Sequence, residues 1–228
     1  QVPLSMIGTD AFQEVDTYGL TIPITKHNFL VRSAKELLTA VPAAFRIAMS
    51  DRPGPVLIDV PKDVQNQMVS FEEFPDVVVP DAAPSFDIAA IEEAAKMIEA
   101  AERPVLYLGG GVIHSGAAHM AVTLAEQASL PTTMTLMALG AMPMDHPLSL
   151  GMLGMHGARY TNYVLEEADL LICVGARFDD RAIGKTAEFC PNAKIIHVDI
   201  DRSELHKVKN AHVAIAGDVG QVLAELLP

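Results

Sequence analysis

The chain has 228 residues, half of them hydrophobic and a fifth charged, with a formal net charge of -13. That balance belongs to a globular protein with a real core, enough for one large domain or for one domain and part of another. The acidity, the lack of any Lys/Arg cluster and the lack of an apolar stretch of transmembrane length exclude nucleic acid and membrane as expected partners.

The chain opens on Gln1-Val-Pro without an initiator Met or a signal-peptide pattern, and is expected to begin inside a longer polypeptide. Residues 43–49 have helical composition, and Pro42 suits the first turn of that helix, where a missing N–H costs nothing. Residues 55–60 form a short β-branched strand signal. One helix and one strand are half a layer of an α/β domain, too little to close a core alone. Pro75, Pro80 and Pro84 then punctuate an acidic, Val-rich stretch that reads as a linker. The expected divisions are 1–62, the end of one domain; 63–85, the linker; and 86–228, a second domain.

Beyond the linker a regular alternation sets in. Helices are expected over 87–101, 117–129, 161–168 and 219–227, the first carried by Ile88, Ile91, Ala95 and Ile98 at helical spacing. Strands are expected over 104–108, 131–136, 170–174, 194–198 and 212–216, with Ser203 a cap for a short helix after the fourth. Strands apolar on both faces and separated by helices predict a parallel sheet flanked by helices, and ligands of such sheets bind outside the carboxyl ends of the strands.

The unusual residues stand at those ends. Gly109-Gly110-Gly111 follows a strand and precedes a helix, where a phosphate could reach backbone N–H groups, although a tight turn explains the glycines as well. The dinucleotide fingerprint fails, because His114 stands at its third glycine position. Arg177, between Gly175 and Asp179, could pair with a phosphate or join a surface Arg–Asp network. Asp199 and Asp201 could accept from ribose hydroxyls or cap the next turn, and Gly217-Asp218 reads the same two ways. Glycines, an arginine and carboxylates on successive strand ends point to a nucleotide site. His156, between glycines in a Met-rich loop, leans towards function; His114, His119, His146 and His206 lack metal-ligand spacing. Cys173 and Cys190 read as free thiols of a reducing, cytoplasmic compartment.

Several strings together resemble the large catalytic subunits of acetohydroxyacid (acetolactate) synthases, transferases that use thiamine diphosphate. They are Ser5-Met-Ile-Gly-Thr-Asp-Ala-Phe-Gln-Glu14, Thr25-Lys-His-Asn28, Arg52-Pro-Gly-Pro55, Asp59-Val-Pro-Lys-Asp63, Leu106-Tyr-Leu-Gly-Gly-Gly111, Gly151-Met-Leu-Gly-Met-His-Gly157, Gly175-Ala-Arg-Phe-Asp-Asp-Arg181 and His197-Val-Asp-Ile-Asp201. The resemblance implies that 1–62 end a pyrimidine-binding domain and that 86–228 are a middle domain holding FAD in a structural, non-redox role. It implies condensation of two 2-keto acids, pyruvate with pyruvate or 2-ketobutyrate, with decarboxylation, in branched-chain amino-acid biosynthesis.

Carried over by resemblance, Phe12 and Gln13 line the substrate and thiamine site, and Lys26 and Lys62 lie near its entrance. FAD contacts fall on Arg52, Gly109, Gly110, Gly111, Thr135, Leu136, Met137, Leu153, Gly154, Met155, His156, Gly175, Arg177, Asp179, Arg181, Asp199, Ile200, Gly217, Asp218 and Val219. The thiamine-activating Glu and the motif that binds Mg2+ and diphosphate match nothing in this chain, Gly217-Asp-Val-Gly220 included, so no metal ligand is assigned and the chain alone is expected to lack synthase activity. A homo-oligomer and a small regulatory subunit are the implied partners. The alternatives are a sister thiamine enzyme (pyruvate oxidase, glyoxylate carboligase or oxalyl-CoA decarboxylase) and a nicotinamide-nucleotide binding module.

Overall fold

The computed structural model describes residues 1–76 and 78–227; Val77, in the expected linker, and Pro228, in the expected second domain, lie outside the described residues. The chain divides into two compact units, Gln1–Ala82 and Ala83–Pro228.

In the first unit α1 (Thr17–Thr21) leads to β1 (His27–Leu30), α2 (Leu37–Met49), β2 (Val56–Asp59) and α3 (Lys62–Gln65). β1 and β2 pair in parallel, His27 opposite Val56 through Leu30 opposite Asp59. Their small core is Val31, Ala40 and Val64, backed by Phe29, Leu37, Ile58 and Val60. α2 starts earlier than expected, and Pro42 lies inside it rather than in its first turn. The cause lies upstream: Ser33 caps a 3-10 turn through Glu36 N–H, and that turn runs straight into α2. Pro42 therefore stands where a regular helix wants an N–H donor, and its ring instead joins Leu38, Val41, Phe45, Met49 and Phe74 in lining an apolar groove of about 530 Å³. Asp81, from the stretch read as linker, pairs with Arg46 of α2 at 3.1 Å, and its N–H reaches Ser50 Oγ at 2.8 Å.

The second unit holds a six-stranded, wholly parallel sheet. Its elements are α4 (Ile88–Ala100), β3 (Pro104–Leu108), α5 (Gly110–His114), α6 (Ala118–Gln127), β4 (Thr132–Met134), β5 (Ser149–Met152), α7 (Arg159–Glu167), β6 (Leu170–Val174), α8 (Asp180–Ile183), β7 (Lys194–Asp199), β8 (Val213–Ala216) and α9 (Val219–Leu226). The spatial order is β5-β4-β3-β6-β7-β8. The chain lays strands outward from β3 in one direction, then returns to place β6 on the other side of β3 and continues the opposite way. The strand order thus reverses between β3 and β6.

One face of the sheet is covered by α4, α6 and α9, whose Ile91, Ala121, Leu124, Val222 and Leu223 meet Leu106, Leu108, Ile172 and Ile196. The other face carries Tyr107, Leu171, Cys173 and Ile195 under Leu165 of α7, Ile183 of α8 and the loop residues Phe178 and Phe189. The five residues of β6 are all buried, as an unbroken apolar run at the middle of a two-sided sheet requires.

Candidate functional site

The carboxyl ends of β3 and β6 flank the point where strand order reverses, the place where an open parallel sheet leaves a crevice for a ligand. The ladder runs past the strands here: Gly109 N–H donates to Val174 O at 2.9 Å, Gly111 N–H to Gly175 O at 2.9 Å and Gly175 N–H to Val198 O at 2.8 Å. A Cβ on Gly109 would stand 2.2 Å from Gly175 O, and one on Gly111 would stand 2.7 Å from Gly175 Cα. These glycines let the start of α5 lie directly on the 175–176 backbone. Close approach of two chain segments, rather than a turn alone, is what selects them. Gly175 itself has φ +61, and a Cβ added there would stand 2.7 Å from Gly111 Cα.

The neighbouring ends are built in the same manner. Thr135 follows β4, with its N–H on Leu108 O at 2.9 Å and its hydroxyl buried without a partner. Leu136 and Met137 project beyond it, 70% and 69% exposed, and Met155 is 64% exposed. Gly154, at φ +81, lies against the backbone of Arg181 and Ala182. Leu153 beside it is buried, and His156 is exposed. Asn162 of α7 holds Gly154 at both its polar atoms, accepting from its N–H at 2.9 Å and donating to its carbonyl at 3.1 Å. Asn162→Ala is expected to lower stability by about 1–2 kcal/mol in urea unfolding. Asn162→Asp should do no better, since a carboxylate would face the Gly154 carbonyl.

The expected carboxylates have structural partners. Asp179 caps α8 through Arg181 and Ala182 N–H, Asp218 caps α9 through Gln221 N–H, and Asp199 accepts from Asp201 N–H at 2.8 Å. Asp201, not Ser203, caps the 3-10 turn Arg202–Glu204, because its Oδ1 takes both the N–H and the hydroxyl of Ser203. Gly217 lies against Phe86, whose ring a Cβ would meet at 2.7 Å; Val219 is buried, and Ile200 is half-buried. Arg181 lies 3.8 Å from Asp180. Arg177 differs. It is exposed between the buried Ala176 and Phe178, and among the described residues its guanidinium has no hydrogen bond or ion pair.

In the first unit, Glu14 gathers residues 8–14 around its carboxylate, which accepts from Gly8 and Ala11 N–H; the Gly8 bond above all holds it below the usual carboxylate range. At the tip of that loop Phe12 is 88% exposed and Gln13 has φ +61. Lys26 directs its ammonium to the Ser50 carbonyl just past the C-terminus of α2, where a cation is favoured. Lys62 begins α3 and is exposed; Arg52 is exposed in the turn after α2. The signal that sequence reading missed is Asn162, an amide with no motif around it.

Residues 91–226 match the family described as thiamine pyrophosphate enzyme, central domain. The chain belongs to the thiamine pyrophosphate enzyme family. Acetolactate synthase isozyme 1 large subunit of Escherichia coli (strain K12) is 67% identical over 228 residues, all of this chain and 40% of that protein. The probable acetolactate synthase large subunit of Methanocaldococcus jannaschii is 48% identical over 232 residues, all of this chain and 39% of that protein. The acetolactate synthase large subunit of Corynebacterium glutamicum is 48% identical over 229 residues, all of this chain and 37% of that protein. The chain therefore spans about two fifths of the length of these thiamine-enzyme relatives.

Proposed function

We propose that the second unit is an FAD-binding domain, and that the chain serves within an acetolactate synthase large subunit acting on 2-keto acids. The observation that carries the nucleotide reading is Arg177, a guanidinium without a partner among the described residues, on the loop that leaves the reversal point of the sheet. Such a fork matches a phosphate bidentately. The partnerless Thr135 hydroxyl and the exposed Leu136, Met137 and Met155 suit a ligand with one polar and one broad apolar part, as a flavin nucleotide has. Full-chain identity to synthases of that name supports the activity and favours it over the sister thiamine enzymes. Their designation as large subunits supports a smaller partner chain.

The fit for Mg2+ is different: among the described residues no group of three or more His, Cys, Asp or Glu could hold a metal. Thiamine diphosphate, when bound in such enzymes, supplies the carbanion chemistry. The part proposed for this chain's Arg177, Thr135 and apolar rim is to bind and orient the flavin nucleotide. Among the described residues no helix is long and apolar enough to cross a membrane, and a cytoplasmic location is the reading adopted.

Calorimetric titration of the protein with FAD, ADP and NAD tests the reading. FAD should bind, ADP more weakly, and NAD not at all. Arg177→Ala should weaken FAD by about tenfold to a hundredfold, the size of a charged hydrogen-bond pair. Tight NAD binding without FAD would shift the case to a nicotinamide module, and no nucleotide binding would sink both readings.

A further inference from the structure

Under the loop that carries Arg177, three adjacent strands place a polar side chain in line. Tyr107 of β3 lies opposite Cys173 of β6, and Cys173 lies opposite His197 of β7. All three are fully buried, on the face otherwise filled by Leu171, Ile195, Leu165 and Phe178. A branched aliphatic residue at 197 would fill this face with hydrocarbon.

His197 Nε2 lies 2.9 Å from the carbonyl of Ala176, and Cys173 Sγ donates to the same carbonyl at 3.1 Å. A carbonyl only accepts, so Nε2 carries the imidazole proton. Burial holds the ring below the ordinary histidine range and keeps it neutral. Nδ1 is then a lone pair, and it is buried without a partner. A residue placed for stability alone would not carry that orphaned atom, because an apolar side chain of similar shape avoids its desolvation.

The accepting carbonyl belongs to the peptide that leads into Arg177. On the far side of Arg177, the Phe178 ring stands edge-on to the His197 ring at 5.0 Å and 71°, and also meets Tyr107 and Phe189. The loop therefore alternates, with Ala176 and Phe178 held beneath and Arg177 turned outward. Gly111 N–H fixes the preceding carbonyl, that of Gly175, from the crevice side.

We infer that His197 is a positioning residue for the ligand loop: its buried Nε2–H sets the Ala176–Arg177 peptide and so aims the Arg177 guanidinium at a bound phosphate. The inference rests on the nucleotide reading above and deepens it by naming what fixes the arginine.

The test is a double-mutant cycle in FAD affinity on the intact protein, with thermal unfolding followed in parallel. His197→Phe keeps a ring but removes the donor, and should raise the FAD Kd about tenfold; in the Arg177→Ala background the same change should add less than about twofold, because coupled residues are not additive. His197→Gln, whose amide N–H can reach the Ala176 carbonyl, should return the Kd to within about threefold of the parent. If the Phe variant does not fold, His197→Asn, whose shorter amide falls short of that carbonyl, replaces it and should bind more weakly than the Gln variant. Equal factors in both backgrounds, or a lower Tm with the Kd unmoved, would overturn the positioning role. An unchanged Kd in Arg177→Ala alone would instead overturn the phosphate role of the arginine, a failure visible before the cycle is closed.

Discussion

Gly109→Ala should lower the stability of the protein by about 3 kcal/mol, at the upper end of what overpacking costs. Gly109 has φ -116 and ψ -178, a backbone that any residue adopts, so conformational freedom is not what glycine provides there. Space is. The added methyl would lie 2.2 Å from Gly175 O and 2.4 Å from Ala176 Cα, both parts of the backbone that cannot swing aside as a flexible side chain would. Either α5 lifts off the 175–176 segment, breaking the Gly111 N–H to Gly175 O bond, or β3 and β6 splay at their carboxyl ends. Gly116→Ala is the control. Its φ is +67 but nothing lies within 4 Å, so only the left-handed backbone is penalised, at about 1 kcal/mol. Urea unfolding of the two variants checks the difference, and equal midpoints would refute the close-approach account.

Gly154→Ala should cost nearly as much, about 2–3 kcal/mol, by a sum of two smaller causes. At φ +81 a side chain is strained, and its Cβ would stand 2.4 Å from Arg181 O and 2.7 Å from Ala182 Cα. The same movement would break Met155 N–H to Arg181 O, now 3.0 Å, and would disturb the two bonds from Asn162. Gly116→Ala, at φ +67 with nothing within 4 Å, again supplies the backbone part at about 1 kcal/mol. Stability is again read by urea unfolding. If Gly154→Ala and Gly116→Ala proved alike, residues 153–157 would not be braced on residues 181–182.

The strands that were legible in the sequence share one property. β2, β3, β4, β6, β7 and β8 each hold β-branched residues, and β3 and β6, at the middle of the sheet, are buried almost throughout. β5 was not foreseen because Ser149-Leu-Gly-Met152 has no β-branched residue and holds a glycine; as an edge strand it pairs only with β4, across a register shift between Thr132 and Thr133. β1, His27-Asn-Phe-Leu30, likewise has no β-branched residue. Of the candidate site, the strand-end residues could be picked out, but their division of labour could not. Whether Gly109 serves a turn, a ligand or a neighbouring chain segment depends on Gly175, far along the sequence. Asp179 and Asp218 looked like ligand carboxylates and are also helix caps, a choice set by a few backbone N–H groups. Asn162 and His197 act on residues that no local pattern associates with them.

The reversal of strand order has a consequence for how the protein comes to be folded. β3 pairs with β6 across a far longer stretch of chain than separates any other two paired strands of the sheet: β4 with β5, β6 with β7 and β7 with β8 all join near neighbours, and β3 with β4 spans one helical crossover. Closing the longest loop carries the largest entropic cost, so this pairing is expected to be the slowest of the sheet's pairings when the whole chain refolds. The Gly109–Gly175 contact and the Ala176 carbonyl anchored by His197 both straddle that seam or lie at its end. Appearance of a ligand-competent crevice during refolding would then time the joining of the two half-sheets, and a nucleotide bound as proposed would act as a clasp on that seam.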